Sequence, residues 1–286
     1  MDIYEIKAYA KINLGLDVIG TREDGYHLLR MVMQNIGISD KLIFRTNQSG
    51  QILIESDNRF LAAGPKNIVY KAIELVCSEY GINEGITVKI EKKIPIAAGL
   101  AGGSADAAAT LIALDGMFTL GMTPAKMSEL GVRLGADVPF CLLGQTALAE
   151  GIGEKLTPLT PMPPCSIVLV KPRFGLSTKH VYQEIDNRII EHHPDIDAII
   201  DGLDSKDLKK VCANMGNVLE LVSCAEYPVL EDIKKAMLEQ GALGAMMSGS
   251  GPTVFGIFDD RDAARQAYKH FKFGEYGNAT YLTEPV

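Results

Sequence analysis

Residues 95–118, PIAAGLAGGSADAAATLIALDGMF, decide how the rest of the chain is read. Gly99, Gly102 and Gly103 crowd into a short loop, and the run from Ser104 to about Leu120 is rich in alanine and leucine, the composition of a buried helix. Glycine lets a backbone turn tightly and admits another group close to it, while a helix start offers unpaired N–H groups and the positive end of a dipole. Together they make an anion site suited to the phosphates of a nucleotide. No Lys-Ser/Thr pair follows the last glycine, so this is not a Walker loop, and the spacing is not the GxGxxG of a dinucleotide fold. A close helix–sheet crossing that needs small residues would leave the same trace, and the loop alone leaves both readings open.

Outward from this stretch the first half reads as strands followed by helices. The opening IYEIKAYAKINLGLDVIG alternates as one long or two consecutive strands up to a turn at Thr21–Gly25, with shorter extended runs at Val32–Ile38, Lys41–Thr46 and Gln51–Glu55. Asn67 reads as the N-cap of a helix through Tyr80 that Gly81 closes, and Ile86, Val88 and Ile90 alternate in a strand before Pro95. Thr123-Pro124 opens another helix up to Gly135, and Thr146–Glu150 is a strand. Thr157–Pro164 holds Pro158, Pro161, Pro163 and Pro164 and is the natural linker. Beyond it come the strand CSIVLVK, helical patterns from about Ser177, Lys206 and Pro228, two strands around the glycines of MMSGSGPTVFGIF, a helix at Arg261–Phe271 and a strand at Ala279–Thr283. Strands interleaved with helices in this order predict an α+β fold, divided into residues 1–157 and 158–286.

Composition narrows the partners. A net charge of −8 with no basic run argues against nucleic acid and against an anionic membrane surface. A small polyanion stays possible, because a few cations and backbone amides hold phosphates. The opening residues are charged and no uncharged apolar run reaches the roughly 18 residues of a membrane span, so a cytoplasmic protein is expected. Cys77, Cys141, Cys165, Cys212 and Cys224 have no CxxC spacing and read as free thiols.

Four further places carry chemistry. Ser248–Thr253, SGSGPT, is an ordinary hairpin by itself, but paired with the first loop it could close over the same phosphates. Lys11 and Asn13 share one face of a strand and could bind a polar ligand, although such residue types more often mark the solvent face. Asp137, in LGADVPF, is either a buried helix cap or a catalytic base. Of the five histidines only His27 is set aside for function, since none has metal-ligand spacing.

Three segments in order, AYAKINLGL (8–16), PIAAGLAGGSADAA (95–108) and MMSGSGPTVFGIF (246–258), resemble the three motifs of the GHMP kinase superfamily across nearly the whole chain. DGYHLL (24–29) and LGADVPFCLLGQTALAEGIGEKLTPL (134–159) point within it to the branch that phosphorylates the 2-hydroxyl of a cytidyl diphosphate-linked methylerythritol, ahead of mevalonate or homoserine kinases or an inactive nucleotide sensor. The resemblance implies an N-terminal domain like ribosomal S5 domain 2 and a ferredoxin-like C-terminal domain. It implies ATP bound by Pro95, Ile96, Ala97, Ala98, Gly99, Leu100, Ala101, Gly102, Gly103, Ser104 and Ala105, a catalytic pair Lys11 and Asp137, and substrate contacts from Asn13, Tyr26, His27, Thr178 and Tyr182. It implies Mg²⁺ with the nucleotide, for which the sequence assigns no protein ligand, and a monomer or weak homodimer. The family's loop often reads GGGLGGGSSNAA, so Ala97, Ala98, Ala101, Ala105 and Asp106 are departures, of which the alanines constrain φ but keep the backbone donors in place.

Overall fold

The computed structural model describes residues 3–274, 276 and 279–286. Its first two strands, β1 (Tyr4–Thr21) and β2 (His27–Asn47), are each unbroken. In β1 every residue from Ala10 through Val18 is buried, because both faces are covered. The solvent-face reading of Lys11 and Asn13 is therefore wrong: they are 4% and 0% exposed. In β2 the Ser39-Asp40 step, which separated two predicted runs, lies inside the strand. Buried Asp40 is satisfied there, its Oδ1 accepting from the backbone N–H groups of Lys93 and Ile94 at 2.5 and 2.8 Å.

The chain divides into two compact units, and neither is a continuous segment. The first comprises residues up to Ala10, Ile38–Ile94 and Ala101–Gly144. In it β3 (Ile52–Ser56) runs parallel to β4 (Gly85–Glu91), which pairs antiparallel with Lys41–Asn47 of β2. Four helices complete it: α1 (Ile68–Tyr80), α2 (Gly102–Phe118), α3 (Pro124–Leu134) and α4 (Val138–Leu143). Helix α1 has the expected ends, with Asn67 Oδ1 accepting from Val69 N at 2.8 Å and Gly81 left-handed at φ 66°. Helix α2 buries almost everything from Ala105 to Leu114, as its composition requires, and starts two residues before Ser104.

The second unit comprises Lys11–Gly37, Pro95–Leu100 and Gln145–Val286. Here β5 (Ala147–Gly151) pairs with Leu29–Met33 of β2 and with β6 (Lys155–Pro158). Thr157 and Pro158 thus belong to a strand rather than to the linker, proline being tolerated at a strand end. A four-stranded antiparallel sheet has the order β11 (Ala279–Thr283), β7 (Ser166–Lys171), β10 (Val254–Phe258), β9 (Gly244–Met247), and α9 (Val229–Glu239) and α10 (Arg261–Phe273) pack on it. Helices α5 (Thr178–Ile185) and α7 (Leu208–Asn214) follow the expected patterns, whereas α6 (Ile196–Asp204) and α8 (Glu220–Glu226) are additional. A two-residue strand, β8 (Gly216–Asn217), pairs parallel with Gly15–Leu16 of β1. All five cysteines are free thiols.

Candidate active site

In the second unit three distant segments meet around one lysine. The Lys11 backbone N–H donates to the Leu100 carbonyl at 3.2 Å, which ties β1 to the end of the first glycine loop. That loop in turn locks onto the second: Ser248 Oγ donates to the Gly99 carbonyl at 3.0 Å, and Thr253 N–H to the Ala98 carbonyl at 3.4 Å. Gly99 is obligatory here, since at φ 75° a Cβ would sit 2.1 Å from the Ser248 carbonyl oxygen. A Cβ on Gly249 would lie 3.4 Å from Lys11 Nζ, so the second loop passes directly over the ammonium.

Lys11 Nζ donates to Asn13 Oδ1 at 2.6 Å, and Asn13 Nδ2 is turned toward Met31 Sδ at 3.5 Å. Among the described residues of its own unit no carboxylate pairs with Lys11. A buried ammonium with one neutral acceptor is costly unless a bound anion compensates it. That requirement is the most informative feature of the site.

The rest of the first loop belongs to the other unit. Ala101, left-handed at φ 54°, leads into α2, and Gly103 and Ser104 form the accessible part of the helix start. Gly102 has a packing role: its Cβ would fall 2.8 Å from Ile94 Cγ2, so a close helix–strand approach forbids a side chain there. Gly103 is different, with an added Cβ meeting only Ile68 Cγ2 at 3.7 Å. The turn before α4 lies beside this helix start, a Cβ on Gly135 coming 3.8 Å from Ser104 Oγ. Asp137 stands at the N-cap position of α4 yet makes no cap hydrogen bond, and its half-buried carboxylate has no hydrogen-bond partner among the described residues of its own unit. The helix-cap alternative is thereby removed.

The expected substrate residues of the second unit form a chain of contacts. Thr178 and Tyr182 share a face of α5, four residues apart. Thr178 Oγ1 and Ser250 Oγ are 2.8 Å apart, linking α5 to the second glycine loop. Tyr182 and His27 place their ring centroids 5.2 Å apart at 35°. His27 Nε2 is 2.7 Å from Asp186 Oδ1, so the ring nitrogen donates to a carboxylate. Tyr26 projects from the neighbouring turn and is 61% exposed.

Several supporting residues had no assigned role in the sequence. Ser248 and Ser250 stood in view within SGSGPT. Asn217 gave no local signal, because its Nδ2 donates to the Met247 and Gly249 carbonyls 30 and 32 residues away, at 2.9 and 2.8 Å. Glu220 Oε1 accepts from Met247 N–H at 2.7 Å and holds the strand that leads into the same loop; burial pushes this carboxyl up, and the Lys234 ammonium 2.8 Å away opposes the shift.

Residues 67–145 match the family model of the GHMP kinases N terminal domain, and residues 185–275 that of the GHMP kinases C terminal. The chain belongs to the GHMP kinase family. It is 49% identical to the 4-diphosphocytidyl-2-C-methyl-D-erythritol kinase of Lachnospira eligens, over 99% of each chain. It is 48% identical to the enzyme of that name from Clostridium tetani, over 99% of this chain and 100% of the relative. A crystal structure of 4-(cytidine 5'-diphospho)-2C-methyl-D-erythritol kinase superposes with a TM-score of 0.83 at 32% identity, covering 99% of both chains. A homoserine kinase from Cytophaga hutchinsonii reaches a TM-score of 0.78 at 22% identity over 99% of this chain and 95% of its own, a likeness of fold. This GHMP kinase is an ATP-dependent phosphotransferase with the two-domain α+β fold that its motifs predict. Among the described residues no helix is long and apolar enough to cross a membrane, and no group of three or more His, Cys, Asp or Glu side chains could hold a metal ion.

Proposed function

We propose that this kinase transfers the γ-phosphoryl of ATP to the 2-hydroxyl of 4-diphosphocytidyl-2-C-methyl-D-erythritol. One observation carries the reading: Lys11, buried beneath two interlocked glycine loops, has no anionic partner among the described residues of its own unit. Full-length identity of 44–49% to relatives bearing this enzyme's name supports the choice of acceptor. A domain division near 157/158 remains part of this proposal and falls in the gap between the family-model matches at 67–145 and 185–275.

Residues 95–105 cradle the nucleotide phosphates with backbone N–H groups and the start of α2. When bound with the nucleotide, Mg²⁺ would be held mainly by phosphate and water and would neutralise charge on the phosphates. Asp137, free of a capping bond, takes the proton of the 2-hydroxyl. The hydroxyl oxygen bonds to the γ-phosphorus as the bond to the bridging oxygen of the ADP leaving group breaks. Lys11 offsets the charge of the transferring group, and positioning and electrostatics supply the remaining acceleration. Asn13, itself fully buried, holds the Lys11 ammonium in place through Oδ1 and serves the substrate by way of Lys11. His27 and Tyr182, already stacked at an angle, receive the cytosine with Tyr26, and Thr178 ties that end to Ser250. Coupled ADP release with the cytidyl substrate, mevalonate and homoserine tests the assignment. Turnover with the cytidyl substrate alone is expected, and equal or faster turnover of either other alcohol refutes it.

A further inference from the structure

Lys92, just after β4, also withdraws its ammonium from solvent, its side chain being 4% exposed. Its Nζ donates to Asp40 Oδ2 at 2.5 Å, to Asp106 Oδ2 at 2.6 Å and to the Gly102 carbonyl at 3.3 Å. Asp40 has its other oxygen satisfied by two backbone N–H groups. Asp106 does not: its Oδ1 is buried without a hydrogen-bond partner. One ammonium between two carboxylates leaves an excess negative charge directly behind the helix start that would receive phosphate. A proton on Asp106 removes that excess.

We propose that Asp106, joined through Lys92 to the Gly102 carbonyl, is a positioning residue that couples nucleotide binding to uptake of a fraction of a proton from solvent. This rests on the reading of residues 95–105 as the ATP phosphate loop. The charged groups acting on Asp106 are Lys92 and Asp40. The buried residues of the helices packed against α2 are uncharged: Val69, Ala72, Ile73 and Val76 on α1, Leu130 and Gly131 on α3, and Val138, Pro139 and Phe140 on α4. Burial, aided by Asp40 and opposed by Lys92, pushes the Asp106 carboxyl up to about 7. Its protonation state therefore changes across neutral pH. A polyanion at the helix start raises it further, so by linkage the nucleotide binds more tightly at pH 6 than at pH 8. A further shift of half to one unit corresponds to an affinity ratio of about three- to tenfold.

The test is calorimetric titration of a non-hydrolysable ATP analogue with Mg²⁺ at pH 6, 7 and 8, in buffers of different ionisation enthalpy. Wild type and Asp106→Asn are compared, and the analogue's own titration is common to both. The asparagine keeps an acceptor for Lys92 and removes the charge. Wild type is expected to take up protons and to lose about two- to fivefold more affinity than Asp106→Asn between pH 6 and 8. Equal proton uptake and equal pH slopes in the two proteins overturn the proposal. So does a wild type that takes up no protons beyond those of the free analogue, whether or not the variant folds. Gly103→Val separates the underlying reading, because its side chain enters the anion site without a packing clash. Loss of analogue binding in Gly103→Val with matching slopes in the first pair removes only the proton coupling. Wild-type binding in Gly103→Val removes the loop assignment and this proposal with it.

Discussion

Lys11 and Lys92 both hold their ammonium groups away from solvent, in opposite surroundings. Lys92 is held by two carboxylates and a carbonyl, so its charge is more than balanced by the protein. Lys11 has one amide oxygen. A balanced buried charge is a structural support, and removing it strands its partners. An unbalanced one is a cost of folding that only a ligand or a reacting group recovers, which is how functional charge differs from structural charge in one chain.

The comparison breaks most readily with matched substitutions. Lys11→Met should lower kcat by roughly 10²–10³-fold, the usual loss when a group stabilising transition-state charge is removed, while the protein melts no lower than wild type. Lys92→Met should cost about 3–5 kcal/mol, because Asp40 and Asp106 are left buried together without their cation. Thermal unfolding of the two variants beside a turnover assay checks both. A Lys11→Met protein that loses as much stability as Lys92→Met would erase the distinction.

At the cytidine end the effect is smaller and confined to one substrate. Losing a stacking ring is worth about 1–3 kcal/mol per base, so Tyr182→Ala should raise KM for the cytidyl substrate by roughly 5–150-fold and leave KM for ATP unchanged. Tyr182→Phe keeps the ring beside His27 and should be nearly silent. Steady-state kinetics with each substrate varied in turn decides this, and equal weakening of both would make Tyr182 a packing residue.

The smallest effect concerns the loop's own backbone. Ala97 and Ala101 adopt φ 51° and 54°, a region that costs a side-chain-bearing residue about 1–2 kcal/mol. Ala101→Gly should relieve this, offset in part by the greater freedom of glycine in the unfolded chain, for a net gain of about 0.5–1 kcal/mol in denaturant unfolding. A loss of stability would mean that the alanine methyl packs favourably enough to outweigh the strain.

Local signals were legible and remote ones were not. The caps of α1, Asn67 and Gly81, and the bounds of β11 could be read because a cap or a short alternating strand is written in adjacent residues. The glycine loops were visible for the same reason, although the packing role of Gly102 depends on Ile94 and only the fold shows it. Lys11 and Asn13 were misjudged because period-two alternation assumes one solvated face, and β1 has none over Ala10–Val18. Asp40 read as a break in β2 since its compensating partners, Lys92, Lys93 and Ile94, lie more than 50 residues on. Asp137 could be narrowed to cap or base from the sequence, and the missing cap bond removes the first.

The account stands on a new phosphate ester made by Asp137-assisted transfer, and phosphorus NMR of the reaction mixture observes that ester directly. With ATP and the cytidyl substrate, wild type should give one new phosphomonoester resonance, on the 2-hydroxyl, with the cytidyl diphosphate intact. Asp137→Asn should form it roughly 10²–10⁴-fold more slowly at similar nucleotide affinity. Release of inorganic phosphate without a new ester, or an ester formed by Asp137→Asn at the wild-type rate, would contradict it.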